Sequence, residues 1–173
     1  MKGIAMRSLA ILLALTVALT SHAAFAQRGA SSKARGEYNF YGRSAGSAIR
    51  SARDHSSYYQ DYVTSAPQQQ VNPEVAKEAA DSVGVYITKA QKHMAYMRKV
   101  ASGEKDTATL ASLDTIDKHL ADAAKSYEVM KDSCLKESID SKHTLECCKP
   151  MYDHLAKASS EHDKLMKKLA AEK

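Results

Sequence analysis

Tryptophan is absent from the chain, phenylalanine occurs twice, and the 173 residues include only 7 glycines and 3 prolines. The turn punctuation that a series of short strands needs is therefore missing, which excludes an all-β fold. The length suits one domain and excludes two lobes closing over a substrate. Charge of one sign is not in large excess: 25 Lys and Arg face 20 Asp and Glu, a formal net charge of +5. That is too weak a balance to support nucleic-acid binding by counterion release. No H-E-x-x-H, C-x-x-C, C-x-x-C-H or G-x-x-x-x-G-K-[ST] run occurs, so the zinc-peptidase, dithiol, haem-attachment and P-loop chemistries have no foothold. A di-iron bundle requires Glu-x-x-His on two helices, and the nearest approach is a lone Asp140-x-x-His143. The expectation is a protein that is not an enzyme.

The only long hydrophobic run lies at the start. Lys2 and Arg7 precede an apolar stretch from Ser8 to Leu19, and Ala24-Phe25-Ala26 forms a small-residue cleavage site. Residues 1–26 read as a secretory signal peptide. The run of about 12 residues is too short to cross a bilayer of ~30 Å, so no membrane span is expected after cleavage. The exported chain would begin at Gln27 and reside in the periplasm or cell envelope, or be secreted. Residues 27–43 are rich in Gly, Ser, Ala and Arg without an apolar period, and read as a flexible leader.

Residues 44–173 read as an all-α, up-and-down antiparallel helical bundle of three long helices plus a shorter N-terminal helix. The short helix covers 44 to 65 and ends before the Pro67–Gln70 linker. The first long helix has the clearest start, with Asn72 as cap, Pro73 in the first turn and Glu74 against the dipole. Its stripe of Ala76, Ala79, Ala80, Val83, Ile87, Ala90, Met94, Met97 and Ala101 ends at Ser102-Gly103. Asp106 caps the next helix, whose stripe runs from Leu110 and Leu113 to Met130 and Cys134. The last helix is expected to start at Pro150 as a first-turn proline, leaving 138–149 as a connection. Its basic end, with Lys164, Lys167, Lys168 and Lys173, reads as a solvated face.

The unusual feature is the density of soft and borderline ligands in the second half of the chain. His93 and Met97 stand one turn apart on one helix, and His162 and Met166 repeat the spacing on another, so each pair could present two donors on one face. Copper(I) accepts thioether and imidazole, and zinc prefers imidazole and thiolate. If the two helices meet at that level, His93, Met97, His162 and Met166 would form a His2Met2 site, with His119 as substitute. The bland counterpart is that Met fills core gaps and His borders the stripe. Cys134, Cys147 and Cys148 are an odd set in a chain expected to meet an oxidising compartment. A disulfide from Cys134 to Cys147 or Cys148 is preferred over thiolate ligation, which would use Cys134, His143 and Cys147. Tyr58, Tyr59 and Tyr62 are either a partner surface or a cover for the core. The functional expectation is an exported, non-enzymatic binding protein for copper or zinc. The alternative is an envelope-associated structural or protein-interaction module with packed His and Met residues and a disulfide.

Overall fold

The computed structural model describes residues 31–66, 71–136 and 139–171. They form four helices: α1 (Ser32–Ser65), α2 (Pro73–Gly103), α3 (Thr107–Cys134) and α4 (Ser141–Ala171). Each helix packs on its sequence neighbours and α4 closes on α1, while the diagonal pairs α1/α3 and α2/α4 make no backbone contact. This is the all-α bundle expected from the stripes. The signal-peptide reading and the Pro67–Gln70 linker lie outside the described residues.

The packing pattern is stricter than an amphipathic stripe. Buried positions alternate at four and three residues: Tyr38, Gly42, Ala45, Ile49, Ala52, Ser56, Tyr59 and Val63 on α1, and Ala76, Ala80, Val83, Ile87, Ala90, Met94, Met97 and Ala101 on α2. On α3 the series is Thr109, Leu113, Ile116, Leu120, Ala123, half-buried Tyr127, then Met130 and Cys134. On α4 it is Thr144, Cys148, Met151, Leu155, Ala158, His162 and Leu165. These are a and d positions of a heptad, and a sustained seven-residue repeat imposes a left-handed supercoil. Close approach is concentrated at three glycines: Met166 and His162 of α4 meet α1 at Gly42 and Gly46, and Tyr127 of α3 meets α2 at Gly84. Each fully buried Leu, Ile or Met removes enough apolar surface from water to stabilise by ~1.5–3 kcal/mol.

The helix ends follow chemical rules, with one departure. The Asn72 side chain accepts from the Glu74 N–H at 2.8 Å, and Asp106 accepts from the Thr109 N–H at 2.9 Å. At the end of α2 the left-handed residue is Lys105, with φ 57°, and not a glycine. There the Asp106 N–H reaches Ala101 O at 2.9 Å and the Lys105 N–H reaches Ser102 O at 3.2 Å, the paired bonds of a Schellman closure. Arg98 then ties α2 to α3 through Asp114 at 2.7 Å and Asp117 at 2.6 Å.

Two sequence expectations are corrected. The first helix begins at Ser32, so from Ser31 onward the leader belongs to the fold and α1, at 34 residues, is the longest helix. Ala34 and Tyr38 extend its repeat into the core, at 3 % and 2 % exposure. Ser31 caps it through the Ala34 N–H at 3.2 Å, and its own hydroxyl and N–H donate to Glu104 at 2.9 and 3.1 Å. The last helix begins at Ser141, so Pro150 is interior and 138–149 is not a connection. Asp140 caps this start, accepting from the Lys142 and His143 N–H groups at 2.9 and 3.2 Å. Pro150 is tolerated because it faces solvent, where water can reach the carbonyl that its missing N–H leaves free. Burial of Thr144 and Cys148 on the opposite side carries the helix through.

Candidate metal and thiol sites

The heptad sorts the candidate residues by level and by seam. Met97 occupies a core position on α2 and His162 one on α4, with Met166 flanking it. All three meet at the backbone of Gly42 on α1. A Cβ at Gly42 would collide with Met166 Sδ and lie 2.7 Å from its Cε and 3.5 Å from Met97 Cε. His162 Nε2 lies 2.9 Å from the Gly42 carbonyl oxygen. A carbonyl only accepts, so the proton sits on Nε2 and Nδ1 carries the lone pair. The Nε2–Cε1–Nδ1 edge of the ring faces α1, since Nε2 meets the Gly42 carbonyl and a Cβ at Gly46 would approach Cε1 to 2.6 Å and Nδ1 to 3.0 Å. The missing side chains of Gly42 and Gly46 are what allow α4 to insert an imidazole here.

His162 Nδ1 is buried without a hydrogen-bond partner, and the Asp163 carboxylate stands 3.7 Å away. Asp163 also pairs with Arg50 of α1 at 3.4 Å. Burial pushes the His162 pKa below the ordinary 6.5, against the opposing pull of the Gly42 carbonyl and Asp163, so the ring is neutral at pH 7.

His93 does not join this group. It flanks the core on the α1–α2 seam, where its ring centroid lies 6.2 Å from Tyr41 and 6.5 Å from Tyr96, and those two tyrosines stack at 4.9 Å. The fourfold His2Met2 set is thus reduced to Met97, His162 and Met166. His119 is not a substitute within it either, because it lies on the α3–α4 seam opposite His154, with ring centroids 5.9 Å apart. No three His, Cys, Asp or Glu side chains among the described residues gather as a metal site.

The cysteines are all free, and the expected bridge is not formed. Because α4 begins at Ser141, Cys147 and Cys148 belong to its early turns, one residue apart and therefore on different faces. Cys148 enters the core at 0 % exposure, beside buried Cys134 at the end of α3. Tyr59 Oη lies 3.3 Å from Cys134 Sγ. Burial raises the Cys134 pKa and, with nearby Cys134, pushes Cys148 up to about 12, so both thiols stay protonated and unreactive. Cys147 turns outward, with Sγ 3.8 Å from His143 Nε2. The thiolate set of Cys134, His143 and Cys147 is therefore split between a buried thiol and a surface pair.

Of the tyrosine cluster, Tyr59 is core at 2 % exposure while Tyr58 is 67 % exposed. With His55, Tyr62 and Val75, Tyr58 lines a shallow α1–α2 groove of about 210 Å³. Motif reading overlooked one match: Gly42-Arg43-Ser44-Ala45-Gly46 has the letters of a G-x-S-x-G elbow. It lies within α1, whereas a nucleophile elbow needs a sharp strand-to-helix turn that lifts the serine. Among the described residues no helix is long and apolar enough to cross a membrane. No family model, no curated protein and no solved structure matches the chain.

Proposed function

We propose that this chain is an exported, non-enzymatic helical-bundle protein that binds a soft metal ion, with copper(I) as the species its donors favour. The supporting observation is the convergence of Met166, Met97 and His162 on the side-chain-free backbone of Gly42. Two thioethers and one imidazole suit copper(I) and offer little to zinc, magnesium or calcium. His162 Nε2–H donates to the Gly42 carbonyl at 2.9 Å. To ligate copper(I), His162 would give up that hydrogen bond and offer Nε2, its proton then residing on Nδ1 with the Asp163 carboxylate 3.7 Å away to accept it, as outer carboxylates orient ligating imidazoles.

The test is anaerobic competition for copper(I) between the purified chain and a chromophoric chelator. One equivalent should be held per chain, and Met97→Leu and Met166→Leu should each weaken it by at least ~10-fold, the least that even an outer-shell loss costs a metal site. Leucine keeps the volume, so both variants should fold. Absence of competition, or binding unchanged in the double variant, would sink the proposal.

A second reading is an interaction module in which the same residues only pack. It draws on exposed Tyr58 and Val75 bordering the α1–α2 groove. In this reading the double Met→Leu variant is neutral toward metal.

A further inference from the structure

His55, Tyr58, Tyr59 and Tyr62 stand at positions i, i+3, i+4 and i+7 along α1, which puts four rings on one face of the helix. Across the seam α2 presents Ala79 and Ser82, and these small side chains leave a hollow of about 210 Å³. Three of the four rings are fixed by bonds to the fold. The His55 Nδ1–H donates to the Ser51 carbonyl at 2.8 Å, and the Tyr86 ring stands 5.1 Å from His55. Tyr62 Oη accepts from the Asn72 N–H at 2.9 Å, and Tyr59 Oη is engaged with Cys134 Sγ at 3.3 Å. Tyr58, 67 % exposed, forms the wall on the solvent side. Ring centroids are 6.3 Å apart for both His55–Tyr58 and Tyr59–Tyr62, with the planes inclined at 57° and 26°. A cation seated between such rings lies within the ~6 Å of each centroid at which a ring face attracts it. The one acidic side chain among the described residues of the lining is Glu78, and no Lys or Arg stands there. Ring faces and carboxylate carry the same electrostatic sign, so the hollow is complementary to positive charge.

We propose that this hollow on the α1–α2 seam binds a free, small organic cation of the quaternary ammonium class. Its volume of about 210 Å³ lies below the ~300–1,000 Å³ of sites for drug-sized ligands, which suits a compact head and nothing larger. A primary ammonium brings three N–H donors that each need an acceptor, and the Tyr59 and Tyr62 hydroxyls are already engaged. A fully methylated nitrogen brings none and meets ring faces directly. The lining also offers nothing to hold a phosphate, and Glu78 repels one, which favours the free cation over a zwitterionic lipid headgroup. Rings held in place before the ligand arrives lower the ordering cost of binding. Tyr58 stands about 24 Å along α1 from Gly42 at 1.5 Å per residue, and the site does not rest on the copper(I) reading.

The experiment is titration of the full chain with choline chloride at constant ionic strength, followed by proton magnetic resonance of the choline methyl groups. The uncharged analogue in which carbon replaces the ammonium nitrogen serves as the control ligand. Ring currents should move the choline methyl signal upfield in a saturable way, and the uncharged analogue should bind more weakly. Tyr58→Leu and Glu78→Gln, verified as folded by circular dichroism, should each weaken choline binding by roughly two- to five-fold, the size of one such contact at a half-exposed site. Met97→Leu should bind choline as the wild-type chain does, so that loss of the copper(I) site and loss of this one are distinguishable. No saturable upfield shift, equal binding of the uncharged analogue, or affinity unchanged in both folded variants would overturn the proposal. So would capture of the chain by phosphatidylcholine vesicles without any binding of free choline.

Discussion

Glycine at positions 42 and 46 matters for what its absence of a side chain admits, and the two positions differ. Met166, the obstacle at Gly42, is a flexible, half-buried side chain. The obstacle at Gly46 is the rigid, buried His162 ring. Gly46→Ala should therefore lower stability by ~1–3 kcal/mol, as overpacking does. Gly36→Ala, which meets nothing within 4 Å, should gain up to ~1 kcal/mol from helix propensity alone. Chemical denaturation of the two variants checks the pair, and equal effects would contradict the close approach. His162 also sets a pH dependence. Its folded pKa lies below the ordinary 6.5, so above about 6.5 it is neutral folded or unfolded and contributes nothing to the slope. As pH falls through that value the unfolded state takes up the proton first, and stability is lost. His93 and His119 shift the same way through burial and add to the trend. With a chelator present, the thermal midpoint should fall between pH 7 and pH 5, less steeply in His162→Gln, which keeps an N–H donor for Gly42 without a titrating ring. A flat profile would contradict the burial of the imidazole. The one-turn spacing in the sequence singled out Met97, His162 and Met166, which meet at Gly42, whereas the separation of His93 from them was not legible. That depends on which flank of the repeat faces α1, and no local pattern reports it.

Among the elements, α2 and α3 were legible almost to the residue because Asn72-Pro73 and Asp106 announce their starts and nothing interrupts their repeats. The other two were misplaced where a local rule opposed a tertiary one. Proline inside a helix removes a hydrogen bond and crowds the preceding turn, and on that ground Pro150 reads as a beginning. The burial of Thr144, Cys148 and Met151 on one face wins instead. In α1 the apolar period before residue 44 consists only of Ala34, Tyr38 and Gly42, too sparse to stand out from a polar leader although all three are buried. The misplaced start of α4 also produced the open choice between Cys147 and Cys148, which the helix resolves by facing them apart. Pro150→Ala should restore the missing N–H toward Glu146 without disturbing the core, since the ring faces solvent. Its gain should be a fraction of the ~3 kcal/mol that separates the two residues in an isolated helix interior. Calorimetric melting checks the sign, and a loss of stability would mean that the proline does work in this helix beyond being tolerated.

At the scale of the whole molecule, the up-and-down order places α1 against α2 and α3 against α4 through g-position seams, and both seams carry histidine. The first holds His55 and His93 among Tyr86, Tyr41 and Tyr96. The second holds His119 and His154. The two remaining seams carry different chemistry: the Arg98 ion pairs between α2 and α3, and the glycine approach between α1 and α4. The bundle was legible because four one-faced helices joined by short links have few other ways to bury their stripes. The allocation of side chains to seams required the heptad phase of all four helices at once.

The interrupted ladder at Pro150 divides the cooperativity of the protein. The turns of α4 before it, from Ser141 to Lys149, share one fewer backbone rung with the rest of the helix and hold Cys148 against the core. A bundle that melts in one step on heating can still breathe at this corner, with an opening free energy smaller than the global one. Cys148 is a built-in clock for that motion, since a shielded, protonated thiol meets an alkylating reagent only when the turns lift. In a Cys147→Ser background, modification of Cys148 should proceed faster than global unfolding allows, and Pro150→Ala should slow it. Modification that keeps pace with complete unfolding in both backgrounds would instead make the helix a single unit from end to end.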